Sequence, residues 1–197
     1  MIQDNKKYDE QELIDLLNKG DEQTFEKLFN EYYFSLARFA WRYTESEAIA
    51  EELVQDLFLE IWERRKTWKP FGKLRPCLYK IIKGKCLNYL KHQKVKRTYD
   101  SQWMEERKAE TLSSRDIEID EQLKQFVQSL NRAVEQLPHR CKMIYKLHRN
   151  DGLTYPEIAE IMDISHKTVE SQMSRAFKLL REKLSHIILF MMVAFLL

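Results

Sequence analysis

Apolar side chains return every three or four residues along most of this chain, the spacing of one face of an α-helix rather than of a strand. Phe25, Leu28, Phe29, Tyr32, Tyr33, Leu36, Phe39 and Ala40 follow it, as do Ile49, Leu53, Leu57 and Ile61. Further on, Ile117, Leu123, Phe126, Val127, Leu130, Val134 and Leu137 repeat it. Only four Gly and four Pro stand among 197 residues, so turns are few and helices long. No run alternates Val, Ile and Thr as a half-buried strand would. An all-α chain is expected, of a length that suits one or two small domains.

Local signals divide the pattern. Asp9 is placed to cap a short helix, EQELIDLLNK, which Gly20 stops. Asp21 caps a second helix through about Tyr43, and Thr44 with Glu47 reads as a capping box for a third, ESEAIAEELVQDLFLEIWERRK. WKPFGK, residues 68–73, contains Pro and Gly and reads as a loop. A fourth helix runs from Leu74 to about His92 and tolerates Pro76 only near its first turn. From Gln93 to about Arg115 the apolar pattern lapses, as in an interdomain tether. The helix that begins near Ile117 ends at Pro138, another runs from about His139 to His148, and Asn150-Asp151-Gly152 makes a turn. The expected organisation is an extension at 1–21, a first helical domain at 22–92, a flexible linker at 93–120, a second domain at 121–184, and an apolar tail at 185–197.

Charge is segregated more sharply than the net value of +2 conveys. Residues 1–63 hold 16 acids against 6 bases, residues 64–97 hold 13 bases and no acid, and residues 100–121 hold 8 acids against 3 bases. A basic block of that purity fits a polyanion partner, because clustered Lys and Arg release counterions when they neutralise phosphates.

A second nucleic-acid signal lies in TYPEIAEIMDISHKTVESQMSRAFKLL. Thr154 with Glu157 forms a capping box, Ser165 caps the next helix, and the turn between them is short, as a helix-turn-helix requires. Ala159 is small where two helices cross, Ile158 and Met162 form the inner stripe of the first helix, and Ile164 plugs the corner. Val169, Met173, Ala176 and Leu180 line the inner side of the second, with Phe177 and Leu184 extending the stripe. Lys167, Glu170, Ser171, Ser174, Arg175 and Lys178 share the opposite face, beside Thr168. Arg175 suits guanine edges or a phosphate, Ser171 and Ser174 suit either, and Lys167 and Lys178 suit phosphates. Glu170 accepts from cytosine or pairs with a neighbouring base.

Enzyme chemistry finds no foothold. His92, His139, His148, His166 and His186 are scattered without an HExxH, and no P-loop or nucleophile elbow is present. Cys77, Cys86 and Cys141 make no CxxC pair, so a disulfide framework or zinc knuckle is not expected and a reducing cytoplasm is. Neither a metal nor an organic cofactor is called for.

With both halves read, a family resemblance becomes visible. AEELVQDLFLEIWERR (50–65) resembles the polymerase-binding helix of sigma-70 factors. LYKIIKGKCLNYLKHQK resembles that family's helix for the promoter minus-ten element, and GLTYPEIAEIMDISHKTVESQMSRAFKLLREKL its domain for the minus-thirty-five element. Two such domains without intermediate ones are similar to the extracytoplasmic-function group. The resemblance implies a transcription initiation factor that brings RNA polymerase core to promoter DNA and assists its melting. By that resemblance Glu52, Gln55, Asp56 and Glu60 dock on the polymerase clamp helices, and the second domain meets the flap. Leu53, Leu57 and Ile61 are core, and Trp62 is either. Trp68, Phe71 and Lys73 lie in the family's base-capturing loop; the two aromatics stack on an unpaired base or cover the core. Lys80, Lys83, Lys85, Asn88 and Lys91 face the promoter strand. Two departures stand out: Cys77 where the family often has Trp, and Gly84 where it often has Asn.

The alternative is a helix-turn-helix regulator that works without polymerase. The linker acids Asp100, Glu105, Glu106 and Glu110 either mimic nucleic acid in the polymerase channel or are simply solvated. The tail Ile187–Leu197, IILFMMVAFLL, is too short to span a bilayer as a helix, at about 16 Å against about 30 Å. Packing against the second domain, docking on a partner and dipping into a membrane surface are the alternatives; a domain or an inhibitory partner such as an anti-sigma factor is the expected one, and such a factor would also hold this cytoplasmic protein at the inner membrane.

Overall fold

The structure, a computed structural model, describes residues 10–99 and 121–196, with side chains described for 10–94 and 127–184. Those residues form eight helices and no strand. The chain divides into two units, Met1–Ala109 and Glu110–Leu197.

The first unit holds α1 (Glu10–Asn18), α2 (Glu22–Thr44), α3 (Glu47–Glu63) and α4 (Leu74–Tyr99). α2 packs on both α3 and α4, α3 packs on α4, and α1 lies against α2. Gly20 ends α1 at a φ of 85°, and the Asp21 amide returns to the Leu16 carbonyl at 3.1 Å. Asp21 then caps α2: its Oδ2 accepts from the Thr24 hydroxyl at 2.5 Å and the Thr24 amide at 2.9 Å. Those bonds, the hydroxyl's first, hold the carboxyl below its usual range.

The cap of α3 departs from expectation. Ser46, not Thr44, is the cap, its Oγ accepting from the Ile49 amide at 3.5 Å. Thr44 Oγ1 instead donates back to the Ala40 carbonyl at 3.2 Å, closing α2. The cause is Glu45, whose left-handed φ of 53° breaks the chain one residue later than a Thr44 cap requires.

The core of this unit joins Leu28, Leu36, Phe39 and Ala40 of α2, Ala50, Val54, Leu57, Phe58 and Ile61 of α3, and Leu78, Tyr79, Ile82 and Cys86 of α4. Leu57 and Ile61 are therefore core as expected, but Leu53 is only half-buried and Val54 and Phe58 take the central places. Phe58 is held between Phe25 and Phe29, with ring centroids 6.2 and 4.9 Å away. Burying a side chain of this size contributes roughly 1.5–3 kcal/mol. α4 begins where the Leu74 amide donates to the Glu10 carboxylate, so α1 satisfies one of the orphan donors of α4. It runs on to Tyr99, past His92, because KHQKVKRTY contains no Gly or Pro to stop it. Residues 93–99 are thus helix rather than tether; residues 100–120, with the acids assigned to the linker, lie outside the described residues.

The second unit holds α5 (Glu121–Glu135), α6 (His139–Arg149), α7 (Tyr155–Met162) and α8 (His166–Leu196). α5, α6 and α7 all pack on α8, and α6 also meets α7. Ala133, Val134, Leu137, Cys141, Ala176, Leu180 and Leu184 make one buried cluster. α5 is seen from Glu121, so its proposed start at Ile117 lies outside the described residues. α8 does not stop near Leu184; it continues as helix through the apolar stretch to Leu196, whose side chains from 185 onward lie outside the description. Among the described residues no helix is long and apolar enough to cross a membrane.

Candidate nucleic-acid interface

The α7–α8 pair is built from its caps inward. Thr154 and Glu157 form a reciprocal capping box, with Glu157 Oε2 accepting from the Thr154 amide at 2.8 Å. Asp163 turns the chain in the left-handed region at φ 58°, and the Ile164 amide returns to the Ala159 carbonyl at 3.0 Å. Ser165 Oγ accepts from the Thr168 amide at 3.1 Å and shares a 2.8 Å hydrogen bond with the Thr168 hydroxyl. Thr168 therefore belongs to the cap of α8, half-buried beside the outer face.

Val169, Met173, Ala176, Leu180 and Leu184 are buried along the inner side of α8. On α7 the inner pair is Ile158 and Ile161; Met162 is half-buried, as are Ala159 and Ile164. Phe177 also leaves the stripe: it is 37% exposed, with the Arg149 guanidinium 5.5 Å from its centroid and Tyr145 edge-on at 6.2 Å. Lys167, Glu170, Ser171, Ser174, Arg175 and Lys178 are all exposed. Glu170 Oε1 lies 3.5 Å from His166 Nδ1, an ion pair when that imidazole is protonated. The outer side of α8 is thus a continuous polar face with two hydroxyls between long bases, fit for groove and phosphate contacts.

In the first unit the buried side of α4, Leu78, Tyr79, Ile82 and Cys86, turns the opposite side outward. Lys80 and Lys83 are half-buried there, and Asn88 and Lys91 exposed. Lys85 stands apart: its Nζ lies 2.6 Å from Glu60 Oε1 on α3. Phe71 is 52% exposed, with the Lys80 ammonium 5.6 Å from its ring centroid, a cation–π distance. Trp68 is half-buried and Lys73 exposed. Asn18, with its amide turned to donate, reaches the Trp68 carbonyl at 3.1 Å, tying the loop to α1. A groove of about 520 Å³ runs between α1 and this loop, lined by Ile14, Asn18, Lys69, Pro70 and others. Cys77 is buried in the core, not presented at the surface. The three thiols are buried and none is in a disulfide, and burial pushes Cys86 up to about 11, so it stays protonated.

α3 turns an acidic face outward: Glu52, Gln55, Asp56 and Glu60 are exposed. At its centre stands Leu59, 54% exposed, three and four residues from Asp56, Gln55 and Glu63. Periodicity missed Leu59; its acidic neighbours at those spacings were the available signal. Trp62 is packed, its ring 4.8 Å from Phe25 and covered by the Arg65 guanidinium at 4.4 Å.

A helix-turn-helix with a basic, hydroxyl-bearing outer face, carried with a second helical unit whose basic and acidic helices share one core, defines a DNA-binding transcription protein. The sigma-70 region 2 pattern matches residues 28–95 and the sigma-70 region 4 pattern residues 128–180. The ECF RNA polymerase sigma-E factor of Escherichia coli strain K12 is 29% identical over 189 residues, 91% of this chain and 96% of that protein. The sigma-E factor of Haemophilus influenzae is 26% identical over 180 residues, 89% and 95% of the two chains. Two solved structures share the fold. The sigma factor RpoE in complex with the anti-sigma factor NepR, from Bartonella quintana, has a TM-score of 0.59 at 20% identity, over 83% of this chain and 98% of that one. CnrH in complex with the cytosolic domain of CnrY has a TM-score of 0.56 at 19% identity, over 90% and 97%. The chain belongs to the sigma-70 family, in its extracytoplasmic-function group, and as a sigma factor it directs RNA polymerase to promoters.

Proposed function

We propose that the acidic face of α3 docks on the polymerase core while α4 holds the melted minus-ten strand and α8 reads the minus-thirty-five element. The observation that carries this reading is the opposition of charge in the first unit. α3 and α4 share a core, yet α3 exposes Glu52, Gln55, Asp56 and Glu60 while α4 exposes Asn88 and Lys91 beside the half-buried Lys80 and Lys83. Two surfaces of opposite charge suit a cationic protein partner and a nucleic-acid strand held at once. Leu59 is the apolar centre of the docking face, Phe71 the exposed stacking ring, and Arg175 the base-reading side chain of α8. Trp68 and Lys73 flank the strand, and Lys167, Ser171, Ser174 and Lys178 fix the upstream duplex. The chain contributes binding and positioning; bond formation belongs to the polymerase.

The domain plan follows the same logic, with 22–92 the polymerase- and minus-ten-binding part and 121–184 the minus-thirty-five-binding part. Control by an anti-sigma factor, in the cytoplasm or at the inner face of the membrane, is proposed from the neighbours: RpoE was solved with the anti-sigma factor NepR, and CnrH with a cytosolic domain of CnrY. Transcription from promoter DNA with purified core polymerase tests the central reading. Promoter-specific RNA that depends on this chain is the expected result; DNA binding without RNA synthesis would favour a regulator acting without polymerase.

A further inference from the structure

The loop between α3 and α4 is held at both of its ends by a third helix, α1. The backbone bonds that close α3 finish with the Trp68 amide on the Arg64 carbonyl at 2.9 Å, and those of α4 begin with the Cys77 amide on the Lys73 carbonyl at 3.1 Å. Between them α1 supplies the partners. Asn18, with its amide turned to donate, reaches the Arg65 carbonyl at 2.5 Å and the Trp68 carbonyl at 3.1 Å. Glu10 accepts from the amide of Leu74, the first residue of α4. Helix ends leave carbonyls, and helix starts leave amides, without helical partners, so α1 caps the exit of one helix and the entry of the next. Glu10, Ile14 and Asn18 recur at four along α1, so both ties leave the same side of it, with the buried Ile14 between them. The chain just past α1 is also seated against the start of the loop: a Cβ at Gly20 would come within 3.4 Å of Arg65 Nε, and that guanidinium lies 4.4 Å over Trp62.

Resting on the reading that Phe71 stacks on an unpaired base, we infer that α1 is the brace of this loop, and that Glu10 and Asn18 are positioning residues for minus-ten recognition that act through Phe71. Glu10 and Asn18 stand eight residues apart, about 12 Å along α1. The step from Trp68 to Leu74 could reach about 20 Å if extended, so its own length leaves the course of the loop open. The helix decides where that slack goes. Phe71 sits at the middle of the step, three residues from Trp68 and from Leu74, and is 52% exposed. The groove of about 520 Å³ between α1 and Lys69, Pro70 and Gly72 marks where the loop stands clear of its brace. Releasing either tie lets the loop settle into that space, and the ring then samples many positions in place of one. A ring held in one place discriminates between bases by fit, whereas a wandering ring stacks on any base, because every base has a π-face. The brace therefore acts on discrimination before it acts on total affinity.

The test uses the full chain bound to polymerase core and a library of promoter fragments with a pre-opened bubble, randomised across the minus-ten segment. Base preference at each position is compared for Glu10→Ala, Glu10→Gln, Asn18→Asp and Phe71→Ala. Asp keeps the size of Asn18 but offers the two carbonyls no donor, and Gln keeps an acceptor oxygen for the Leu74 amide. Capture of core polymerase reports whether the first unit stays folded. Glu10→Ala and Asn18→Asp are expected to flatten the preference at one position, roughly three- to tenfold each, with capture unchanged. Glu10→Gln should keep most of the preference, and deuterium exchange at the Leu74 amide should quicken in Glu10→Ala but not in Glu10→Gln. Preference kept in the α1 variants but flattened in Phe71→Ala overturns the inference and leaves the stacking reading standing. A Phe71→Ala variant that keeps its preference removes the stacking reading and the inference with it. Preference and capture lost together also overturns the inference, because that pattern marks a helix needed only for folding; so does a Glu10→Gln variant that fails as Glu10→Ala does.

Discussion

Lys85 reaches from α4 to α3 and sets its Nζ 2.6 Å from Glu60 Oε1. The family resemblance sends these two residues to different partners, Lys85 to promoter DNA and Glu60 to polymerase. The structure joins them to each other, Lys85 at 19% side-chain exposure and Glu60 at 50%. Lys85 therefore serves the α3–α4 contact before it serves any strand.

Salt dependence of DNA binding separates the two uses of lysine on α4. Lys91→Ala is expected to reduce the slope of log affinity against log salt by about 1, as losing one phosphate contact does. Lys85→Ala should leave that slope unchanged and cost the first unit at most about 1 kcal/mol, the range of exposed ion pairs. Affinity titrations at several salt concentrations, paired with urea unfolding, read both; an equal change of slope in the two variants would place Lys85 on the strand.

For the upstream element, Arg175→Ala is expected to weaken binding by about 1–3 kcal/mol and to relax discrimination at one base pair. Arg175 is exposed on the face opposite Val169, Met173 and Ala176, so the melting temperature of the second unit should hold. Binding to a panel of single-base variants of the site checks this, and a uniform loss across the panel would assign Arg175 to phosphate instead.

Leu59→Ser should release polymerase without unfolding the first unit. Exposed between Asp56 and Glu63, Leu59 is placed to anchor an interface, and truncating a residue that is a hot spot costs about 2 kcal/mol or more. Pull-down of core polymerase should fall by at least about tenfold while DNA binding by the isolated chain is retained; unaltered capture would move the docking face elsewhere.

The joint between α5 and α6 should respond to acid. Glu135 accepts from Lys146 at 2.5 Å and from Lys142 at 3.3 Å. Burial alone would raise its pKa, but the hydrogen bonds and charges of Lys146 and Lys142 outweigh it and hold the carboxyl below its usual 4.5. Because folding lowers this pKa, the cluster stabilises the second unit above the unfolded value, and that stabilisation disappears as pH falls through the depressed one. Glu135→Gln should thus melt slightly below wild type at neutral pH and together with it in strongly acidic buffer. Melting curves across that range check the sign, and a gap that widens in acid would reverse it.

What could be read in advance divides along physical lines. Caps written in adjacent residues were legible: Asp21, the Thr154–Glu157 box and Ser165 all act as their chemistry requires. The exposed face of α8 followed from spacing alone. The shift from Thr44 to Ser46 was not legible, because it depends on the backbone of Glu45. Val54 displaces Leu53 from the core since α3 is covered by both α2 and α4, and periodicity does not say which of two adjacent apolar residues faces the seam. α4 and α8 both outran their expected ends, the first where polar residues hide the period and the second where uniform apolarity erases it.

α8 is one uninterrupted helix of 31 residues, about 46 Å from end to end. The exposed turns that carry Arg175 and the apolar stretch up to Leu196 belong to a single helix, with about 30 Å between Arg175 and Leu196. If α8 reads the upstream element as proposed, whatever holds its far turns also bears on the angle at which Arg175 approaches a groove, without touching the groove itself.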